Sequence, residues 1–408
     1  MAVRLAPGSA DVAHHAPAAS RMFLTLHRGD GRLAPVALST WPRRLGSGQV
    51  ALPKSHLRRA GLLATAEREV AVLQRRYLAD VQLHLRDAVA DSGSGFFGLL
   101  RYHLGWEDAD GKPVSESTGK ALRPVLCLAA CDLAGGDWQK ALPAAAALEL
   151  VHNFSLIHDD IQDQDVTRRG RPTLWSITGV APAVAAGNAM RVIADQMAAS
   201  LTSGGFTAEL VVQACNELTL RYLEMIEGQY LDVSFEQADD ITTEQYVDMI
   251  GRKTGALIEN AMYLGALLAT GEQAKAQAFG GVGRALGVAF QIRDDYLGVW
   301  GDPGSTGKPV GSDIQRKKKS LPVVYLFEHA TQDDRVWLDE AYDEAEVSEL
   351  NVERVLGLLG DLGASAYVQQ QAELHAQGAL ATAAGLGLST EARALLNSMA
   401  EFFVGRDK

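Results

Sequence analysis

From about Ala66 to the C-terminus, apolar residues recur every three or four positions, in long stretches separated by short breaks. The first stretch runs through Val70, Leu73, Tyr77 and Val81, a spacing that puts apolar side chains on one face of a helix. No strand-like alternation is sustained, and no repeat with a period of about 20–50 residues occurs. The pattern predicts one all-α, bundle-like domain over residues 66–408. The breaks contain the glycine, proline or aspartate that ends helices, at 135–137, 170–172, 203–205 and 301–304.

The preceding segment, residues 1–65, is rich in alanine, proline, glycine, serine and arginine and lacks sustained periodicity. Such a composition offers too little apolar surface to offset the entropy of folding. We expect a mostly disordered, basic N-terminal extension. Contact of this basic tail with an acidic partner or a membrane surface is a second interpretation.

Charge and composition argue against nucleic-acid-binding, membrane-spanning and secreted classes of protein. The net charge is −12, but residues 1–60 carry +7, which leaves −19 for the remainder. An acidic body repels nucleic-acid phosphates, which argues against a nucleic-acid function. No run approaches the ~18 consecutive apolar residues that span a bilayer, and we expect no secretion signal. Cys127 and Cys131 lie four positions apart in an apolar stretch, so we expect both thiols to pack, unpaired, in a helical core. Unpaired thiols suit a reducing compartment, so we expect a cytoplasmic protein.

Two acidic segments interrupt the apolar helices. In the first, LELVHNFSLIHDDIQDQDVTRRGRP (148–172), an apolar run ends in Asp159, Asp160 and Asp163. On a helix Asp159 and Asp163 lie one turn apart on one face, where both carboxylates can hold the same cations. Mg²⁺ fits this chemistry because it commonly bridges protein carboxylates to substrate phosphates.

Basic residues distinguish this cluster from an ordinary exposed acidic helix end. Arg168 and Arg169 follow it, and then Gly170 and Pro172 predict the end of the helix. Upstream, GKALRP (119–124) opens another apolar helix and presents two cations for a second anion.

The second segment, FQIRDDYLGVWGDPGSTGKPVGSDIQRKKKSLP (290–322), repeats the arrangement. Asp294 and Asp295 follow an apolar helix, while Lys308, Asp313 and Lys318 lie on a glycine-rich loop and helix start that could close over a ligand. Two acidic clusters 135 positions apart (159 to 294), each with basic residues nearby, predict paired diphosphate sites.

Together these segments resemble the trans-isoprenyl diphosphate synthase, or polyprenyl synthetase, family from about residue 70 to 408. The resemblance implies an all-helical fold around a deep central cavity of the isoprenoid synthase type, and a homodimer. It also implies Mg²⁺-dependent condensation of isopentenyl diphosphate with allylic diphosphates (dimethylallyl, geranyl or farnesyl), releasing pyrophosphate. It rests on the order and spacing of GKALRP (119–124), HNFSLIHDDIQDQDVTRRGRP (152–172), EGQYLD (227–232), KTG (253–255), FQIRDD (290–295) and TGKPVGSDIQRKKKSLP (306–322).

The resemblance also implies roles for individual residues. The resemblance implies three Mg²⁺ ions, with Asp159, Asp163 and Asp294 as their ligands, supported by Asp160 and Asp295. The allylic diphosphate would be held by Arg168, Lys253 and Lys308, with Lys318 on the closing loop. The positions that match the isopentenyl diphosphate site are Lys120, Arg123, His152 and Arg169. Thr254 and Gln291 match residues that stabilise the carbocation.

Two positions depart from the family pattern. Gly298 stands where the second motif usually has its third acid, which lowers the negative charge of that cluster, although Asp302 stands one turn further on. Asn188 follows Gly187 where the family commonly has Gly-Asp.

Product length is expected to depend on the helix beneath the first cluster. Phe154 lies five residues before Asp159, about 7.5 Å deeper along a helix axis. From composition alone it is an ordinary core residue. With the resemblance, an aromatic at Phe154 beside the small Ser155 is typical of archaeal-type geranylgeranyl diphosphate synthases and implies a twenty-carbon product. Val151, one turn below, implies that removing the ring would allow longer chains.

Other functions remain open from the sequence. A farnesyl or longer-chain synthase would differ only in product. A class I terpene cyclase would share the ionising chemistry, but its second metal motif usually pairs Asn or Asp with Ser or Thr and Glu. A regulatory subunit of a heteromeric synthase would require damaged motifs, and only Gly298 points that way.

Overall fold

The computed structural model describes residues 24–27, 33–36, 54–90, 95–114, 121–236, 238, 240–343 and 346–407, with side chains from Gly61 onward. The chain divides into two units, residues 1–62 and 63–408. The first contains an antiparallel hairpin of strands β1 (Leu24–His27) and β2 (Leu33–Val36). Most of the extension expected to be disordered lies outside the described residues.

The prediction of an all-α fold is confirmed. A second small hairpin, of strands β3 (Thr167–Arg168) and β4 (Arg171–Pro172), follows the first acidic segment, and residues 251–255 form a π-turn. The helices are α1 (Lys54–Ala88), α2 (Phe96–His103), α3 (Leu122–Leu133), α4 (Leu142–Gln162), α5 (Leu174–Thr178), α6 (Val180–Ala199), α7 (Ala208–Glu236), α8 (Thr243–Ile250), α9 (Ala256–Thr270), α10 (Gln273–Trp300), α11 (Pro303–Thr306), α12 (Ser312–Gln315), α13 (Leu321–His329), α14 (Gln332–Asp343), α15 (Glu349–Asp361), α16 (Ala364–Ala384) and α17 (Thr390–Gly405).

Helix boundaries follow local signals in the sequence. Thr242 and Gln245 form a capping box at the start of α8, in which each side chain accepts from the other's backbone N–H. Gly271, at φ 69°, ends α9 in the left-handed conformation that favours glycine. The predicted break at 301–304 separates α10 from α11.

The core is built around α9, whose side chains are buried on nearly every face between Ala256 and Leu268. This fits its sequence, because a helix that is apolar all round must be surrounded by protein or lipid. It packs against α3, α7 and α10, while α10 also packs along α16, and α4 along α6. Cys127 and Cys131 are buried in this core as predicted. None of the helices in the described part of the chain is long and apolar enough to cross a bilayer.

Candidate active site

A cavity of about 1550 Å³ lies between α1, α3, α4, α6, α7, the π-turn and α10. Asp159 of α4 and Asp294 of α10 both line it, so the first aspartate of each acidic pair faces the same space. The other predicted site residues on its wall are Arg123, His152, Phe154, Ser155, Arg168, Arg169, Lys253, Thr254 and Gln291. Lys120 lies outside the described residues.

Within each acidic pair the two aspartates occupy different environments. Asp159 lines the cavity, whereas Asp160 is 1% exposed and accepts a hydrogen bond from Arg168 Nε at 2.6 Å. Asp294 lines the cavity, whereas Asp295 is fully buried and accepts from the Tyr246 hydroxyl at 2.7 Å. The first aspartate of each pair therefore faces the space that a ligand would enter, and the second is held by the protein behind it.

The carboxylates of the first cluster are costly to ionise without a cation. Burial raises the pKa of Asp159 to about 6, Asp163 and Asp232 add to the rise, and the nearby Lys253 opposes it. Burial likewise raises the pKa of Asp160 to about 6, and its Oδ2 atom has no hydrogen-bond partner among the described residues. A cation brought into the cavity would favour the ionised forms.

The donor set suits Mg²⁺. All the acidic groups at the cavity mouth offer carboxylate oxygens, which hard divalent cations prefer. In the described part of the chain no three acidic, histidine or cysteine groups converge closely enough to hold an ion alone. Asp159 and Asp294 instead come from different helices that line one cavity, which matches a metal held by one or two carboxylates, waters and phosphate oxygens.

The backbone after the first cluster differs from the prediction. Helix α4 ends at Gln162 with Asp163 as its C-cap, well before the predicted stop at Gly170 and Pro172. Arg169 (φ 53°) and Gly170 (φ 76°) instead form the two-residue turn of the β3–β4 hairpin. The prediction that Gly170 ends the helix is wrong, because glycine suits a hairpin turn as well as a helix terminus. The hairpin returns the Arg168 side chain to Asp160.

Strained backbone conformations coincide with the motif segments. Among the described residues, the four non-glycine residues with positive φ are Ala121, Gln164, Arg169 and Lys317, and each lies in one of the segments quoted above. Such conformations cost about 1–3 kcal/mol each and persist where surrounding structure imposes them. This distribution supports a functional rather than a purely structural role for these segments.

Lys253 and Thr254 reach the cavity from the π-turn, a wider turn that is frequent at functional sites. A Cβ atom at Gly228 of α7 would lie 2.7 Å from the Cα atom of Lys253. Glycine at 228 is therefore required for α7 to approach the turn so closely.

A hydrogen-bonded chain connects the π-turn to the second acidic cluster. The Thr254 hydroxyl donates to Gln291 Oε1 at 2.9 Å, and Gln291 Nε2 donates to Asp295 Oδ1 at 3.1 Å. The Tyr246 hydroxyl and the Leu321 backbone N–H donate to the other oxygen of Asp295. Asp295 therefore orients Gln291 and Thr254, and both its oxygens are already engaged by protein donors.

Asp232 is a site residue that the sequence reasoning did not single out. Its carboxylate forms an ion pair with Lys253 and contributes to the raised pKa values of Asp159 and Asp163. Burial lowers the pKa of Lys253, but Asp232 and Asp159 outweigh it and raise that pKa above its ordinary value. The available signal was its place at the end of EGQYLD (227–232).

A basic wall, half-buried at Arg123 and His152 and exposed at Arg169, lies beside the first cluster. Burial lowers the pKa of Arg123 to about 10, with Glu149 opposing the shift. Burial also lowers the pKa of His152 well below its ordinary value, and Arg123 and Arg169 lower it further, so His152 is neutral at pH 7. Arg123 Nε and Glu149 Oε2 have no hydrogen-bond partner within the described ranges. Such a wall offers donors to an anionic ligand.

Other predicted residues lie away from the cavity wall. Lys308 is exposed on the loop after α11, and Asp302 caps α11 by accepting from the Ser305 backbone N–H at 3.1 Å. Asp302 therefore does not replace the third acid of the second cluster. Val151 is fully buried in the core beside Phe154.

Arg406, near the C-terminus, reaches the second cluster. It is 5% exposed, forms an ion pair with Asp294, donates to the Phe290 carbonyl at 3.1 Å and lies 3.8 Å from the centre of the Phe290 ring. No sequence pattern predicted this contact, which spans 112 positions. It ties the end of α17 to the cavity side of α10.

This ion pair predicts a coupled effect on stability. We expect Arg406→Met to lower the free energy of unfolding of the metal-free protein by about 1 kcal/mol, because it removes an ion pair whose carboxylate side chain is 41% exposed and so partly screened by solvent. Arg406→Met combined with Asp294→Asn should cost less than the sum of the single changes. Chemical denaturation of the four proteins measures the coupling, and additive effects would contradict it.

Comparison with known proteins agrees with this geometry. A family profile described as polyprenyl synthetase matches residues 111–359. The chain is 37% identical over 311 residues to a (2E,6E)-farnesyl diphosphate synthase of Mycobacterium bovis, covering 76% of this chain and 85% of that protein. It is 39% identical over 311 residues to a geranylgeranyl diphosphate synthase of Mycobacterium tuberculosis, covering 76% and 87%.

Solved structures show the same fold. A polyprenyl synthetase from Streptomyces coelicolor A3(2) superposes with a TM-score of 0.76 at 32% identity, covering 82% of this chain and 99% of that one. A geranylgeranyl pyrophosphate synthase from Corynebacterium glutamicum, complexed with isoprenyl diphosphate and magnesium, has a TM-score of 0.68 at 27% identity, covering 83% and 99%. The chain belongs to the polyprenyl synthetase family of trans-prenyl diphosphate synthases and is a prenyltransferase.

Proposed function

We propose that this chain condenses isopentenyl diphosphate with allylic diphosphates and gives mainly geranylgeranyl diphosphate. The observation that carries the proposal is the placement of Asp159 and Asp294 on one cavity, next to the cations Arg123, Arg169 and Lys253. Two anionic groups entering this cavity would each meet positive charge. A cavity of about 1550 Å³ also leaves room for long apolar chains.

We further propose Mg²⁺ as the cofactor, with Asp159, Asp163 and Asp294 as its protein ligands and three ions bound. Bound Mg²⁺ would supply Lewis-acid stabilisation of the departing pyrophosphate. The support from this chain is the raised pKa values of Asp159 and Asp163, whose ionisation burial disfavours, and the position of Asp294 on the same cavity. The Corynebacterium glutamicum relative has been solved with magnesium and isoprenyl diphosphate.

Apart from metal binding, we assign the side chains to two ends of the cavity, one for each diphosphate substrate. On the allylic side, Lys253 and Arg168 offer positive charge beside Asp159, with Lys308 and Lys318 on the neighbouring loop. On the isopentenyl side, Arg123, His152 and Arg169 form the basic wall, and the role of Lys120 stays a prediction. Between the two ends, the side chains of Thr254 and Gln291 are held in place by Asp295. Their oxygens would stabilise the positive charge that develops on the allylic group.

Enzyme assays with separate primers test this proposal. Purified protein is incubated with isopentenyl diphosphate, Mg²⁺ and dimethylallyl, geranyl or farnesyl diphosphate, and the dephosphorylated products are separated by chromatography. We expect a twenty-carbon product and no turnover after chelation of Mg²⁺. A cyclic terpene, or no elongation of any primer, would overturn the proposal in favour of a cyclase or a regulatory subunit.

The product length is supported by the position of Phe154. The ring is 6% exposed, lines the cavity and packs edge-to-face on His158, with 5.4 Å between ring centres. Ser155, beside it on the wall, leaves space that a larger side chain would fill. Relatives of nearly equal identity are named as farnesyl and as geranylgeranyl synthases. The proposal of a twenty-carbon product therefore rests on Phe154, which we take as the floor of the cavity that limits chain growth.

Substitution of Phe154 should therefore change the product. We expect Phe154→Ala to give products longer than twenty carbons, and Phe154→Leu to give an intermediate distribution, because the removed volume opens the cavity toward Val151. Chromatography of the products of the three proteins checks the order. An unchanged product from active Phe154→Ala protein would show that Phe154 is not the floor.

We propose a homodimer through α6 and α7. These neighbouring helices expose an apolar stripe that includes Val192 on α6 and Leu220, Leu223 and Tyr230 on α7, each at least half exposed. Ile226 and Tyr230 belong both to this stripe and to the cavity wall, so a second copy would close the cavity side.

The dimer is tested by light scattering after size-exclusion chromatography. We expect twice the 43.7 kDa chain mass for the unmodified protein and the monomer mass for Leu220→Glu with Leu223→Glu. Leu374→Glu, at an equally exposed leucine on α16, is the control and should remain dimeric. A monomeric unmodified protein would contradict the proposal.

A further inference from the structure

The β3–β4 hairpin is fastened by the end of α2 and the loop after it, residues 102–107. The Arg171 guanidinium donates to the Tyr102 carbonyl at 3.2 Å and to the Glu107 carbonyl at 2.7 Å. It also lies 4.5 Å from the centre of the Tyr102 ring. In return, the Tyr102 hydroxyl donates to the Pro172 carbonyl at 2.8 Å. These four contacts between α2, its loop and the hairpin are called the hairpin clamp below.

The clamp holds the hairpin in a costly conformation. Arg169, at the turn, has φ 53°, and a non-glycine residue keeps such a conformation only where the surrounding structure imposes it. Burial lowers the pKa of His103 to about 3, and the charges of all three arginines of the hairpin add to the fall. Three guanidiniums near one side chain repel one another. Contacts outside the hairpin are therefore needed to keep this arrangement.

The three arginines of the hairpin differ in what they face. Arg168 and Arg169 line both the large cavity and a small pocket of about 50 Å³, whose wall also includes Arg171 and Tyr102. Within the described residues, Arg171 is part of the wall of the small pocket but not of the large cavity. Arg171 is thus placed to act on a ligand through the hairpin, by fixing its two neighbours.

The two arginines of the cavity wall depend on the clamp to different degrees. Arg168 has an anchor outside the clamp, because its Nε atom donates to Asp160 of α4 at 2.6 Å. Arg169 owes its backbone conformation to the turn that the clamp secures. Loosening the clamp should therefore displace the guanidinium of Arg169 more than that of Arg168.

We propose that Arg171 and Tyr102 are positioning residues for isopentenyl diphosphate, because the hairpin clamp sets where the Arg169 guanidinium lies. This inference rests on the proposed function, in which Arg169 belongs to the isopentenyl side of the cavity, and deepens it. It assigns a role in substrate binding to α2, an element outside the quoted motifs.

Steady-state kinetics with geranyl diphosphate as primer, together with calorimetry of isopentenyl diphosphate binding, test this role. We expect Arg171→Met to raise the KM and the Kd for isopentenyl diphosphate by about tenfold, because small displacements of binding groups have effects of at least this size. The kcat and the KM for geranyl diphosphate should change by less than about twofold, because Arg168 keeps its anchor on Asp160.

Three further variants separate position from charge and from stability. Arg171→Lys keeps the charge but lacks the planar fork that reaches two carbonyls, so it should behave nearly as Arg171→Met. Tyr102→Phe removes one hydrogen bond and keeps the ring, and should raise the same KM by about threefold. Arg86→Met is the control: Arg86 lies 4.6 Å from the centre of the Trp106 ring on the same loop, and its loss should leave both KM values unchanged.

The inference and the proposed function fail on different results. Normal isopentenyl diphosphate binding by folded Arg171→Met or Tyr102→Phe protein would overturn the inference. Full binding by Arg171→Lys protein would also overturn it, since charge rather than position would then matter, and so would equal losses for both substrates. If the unmodified protein neither bound isopentenyl diphosphate nor elongated geranyl diphosphate, the proposed function itself would fail.

Discussion

Asp159→Ala is expected to lower turnover with isopentenyl and allylic diphosphates by about 10²–10³-fold or more, with little effect on folding. Asp159 lies on α4 at the cavity wall, five residues after Phe154, and its neighbours Asp163 and Asp232 are also acidic. Removing its carboxylate removes a metal ligand where negative charge develops on the leaving pyrophosphate. Electrostatic groups at such positions are commonly worth factors of this size.

Asp159→Ala should lower turnover without changing the fold. Circular dichroism of Asp159→Ala protein should match that of the unmodified protein, and its thermal transition at neutral pH should be no lower, because the replaced group is one whose charge burial disfavours. Asp361→Asn, at an exposed position on α15, serves as the control and should retain full turnover. An Asp159→Ala enzyme with normal Mg²⁺-dependent activity would overturn the assignment of the first cluster.

The parts of this site that the sequence predicted are those encoded locally. The apolar period of α4 places Phe154 and Asp159 on one helix at a known separation, and both line the cavity. The all-α fold follows from the same period repeated along the chain. These predictions depend only on residues a few positions apart, which helix geometry relates directly.

The parts that the sequence did not predict depend on contacts between distant elements. The pairing of Arg406 with Asp294 and the packing of Asp313 against Gly298 arise where α17 and α12 meet α10. Local patterns carry no information on such meetings. The two aspartates of a pair look equivalent in the sequence, yet Asp295 is fully buried while Asp294 lines the cavity.

The same buried carboxylates predict how stability depends on pH. The pKa of Asp159 is raised to about 6 in the folded protein, chiefly by burial, compared with about 3.9 in an unfolded chain. A group with a raised folded pKa contributes stability that is fully present below its unfolded pKa and is lost as pH rises through its folded pKa. Metal-free protein should therefore lose this contribution between about pH 4 and pH 7.

Comparison with Asp159→Asn isolates this contribution from the rest of the chain. In the absence of metal, we expect the difference in unfolding free energy between the two proteins to be constant below about pH 4. By pH 8 it should have shifted by about 1–3 kcal/mol in favour of Asp159→Asn, because the amide never ionises. Chemical denaturation across this pH range measures the shift.

Adding Mg²⁺ and pyrophosphate at pH 8 should reverse the order of the two proteins. Ligands that bind only the folded state stabilise it in proportion to their affinity, and Asp159→Asn protein lacks the ionised ligand that this affinity requires. At pH 5 the addition should stabilise the unmodified protein much less, because Asp159 is then mostly protonated. A pH-independent difference would show that Asp159 is not the group that couples metal binding to stability. A reversal confined to high pH would link the cost of burying this carboxylate directly to its use as a metal ligand.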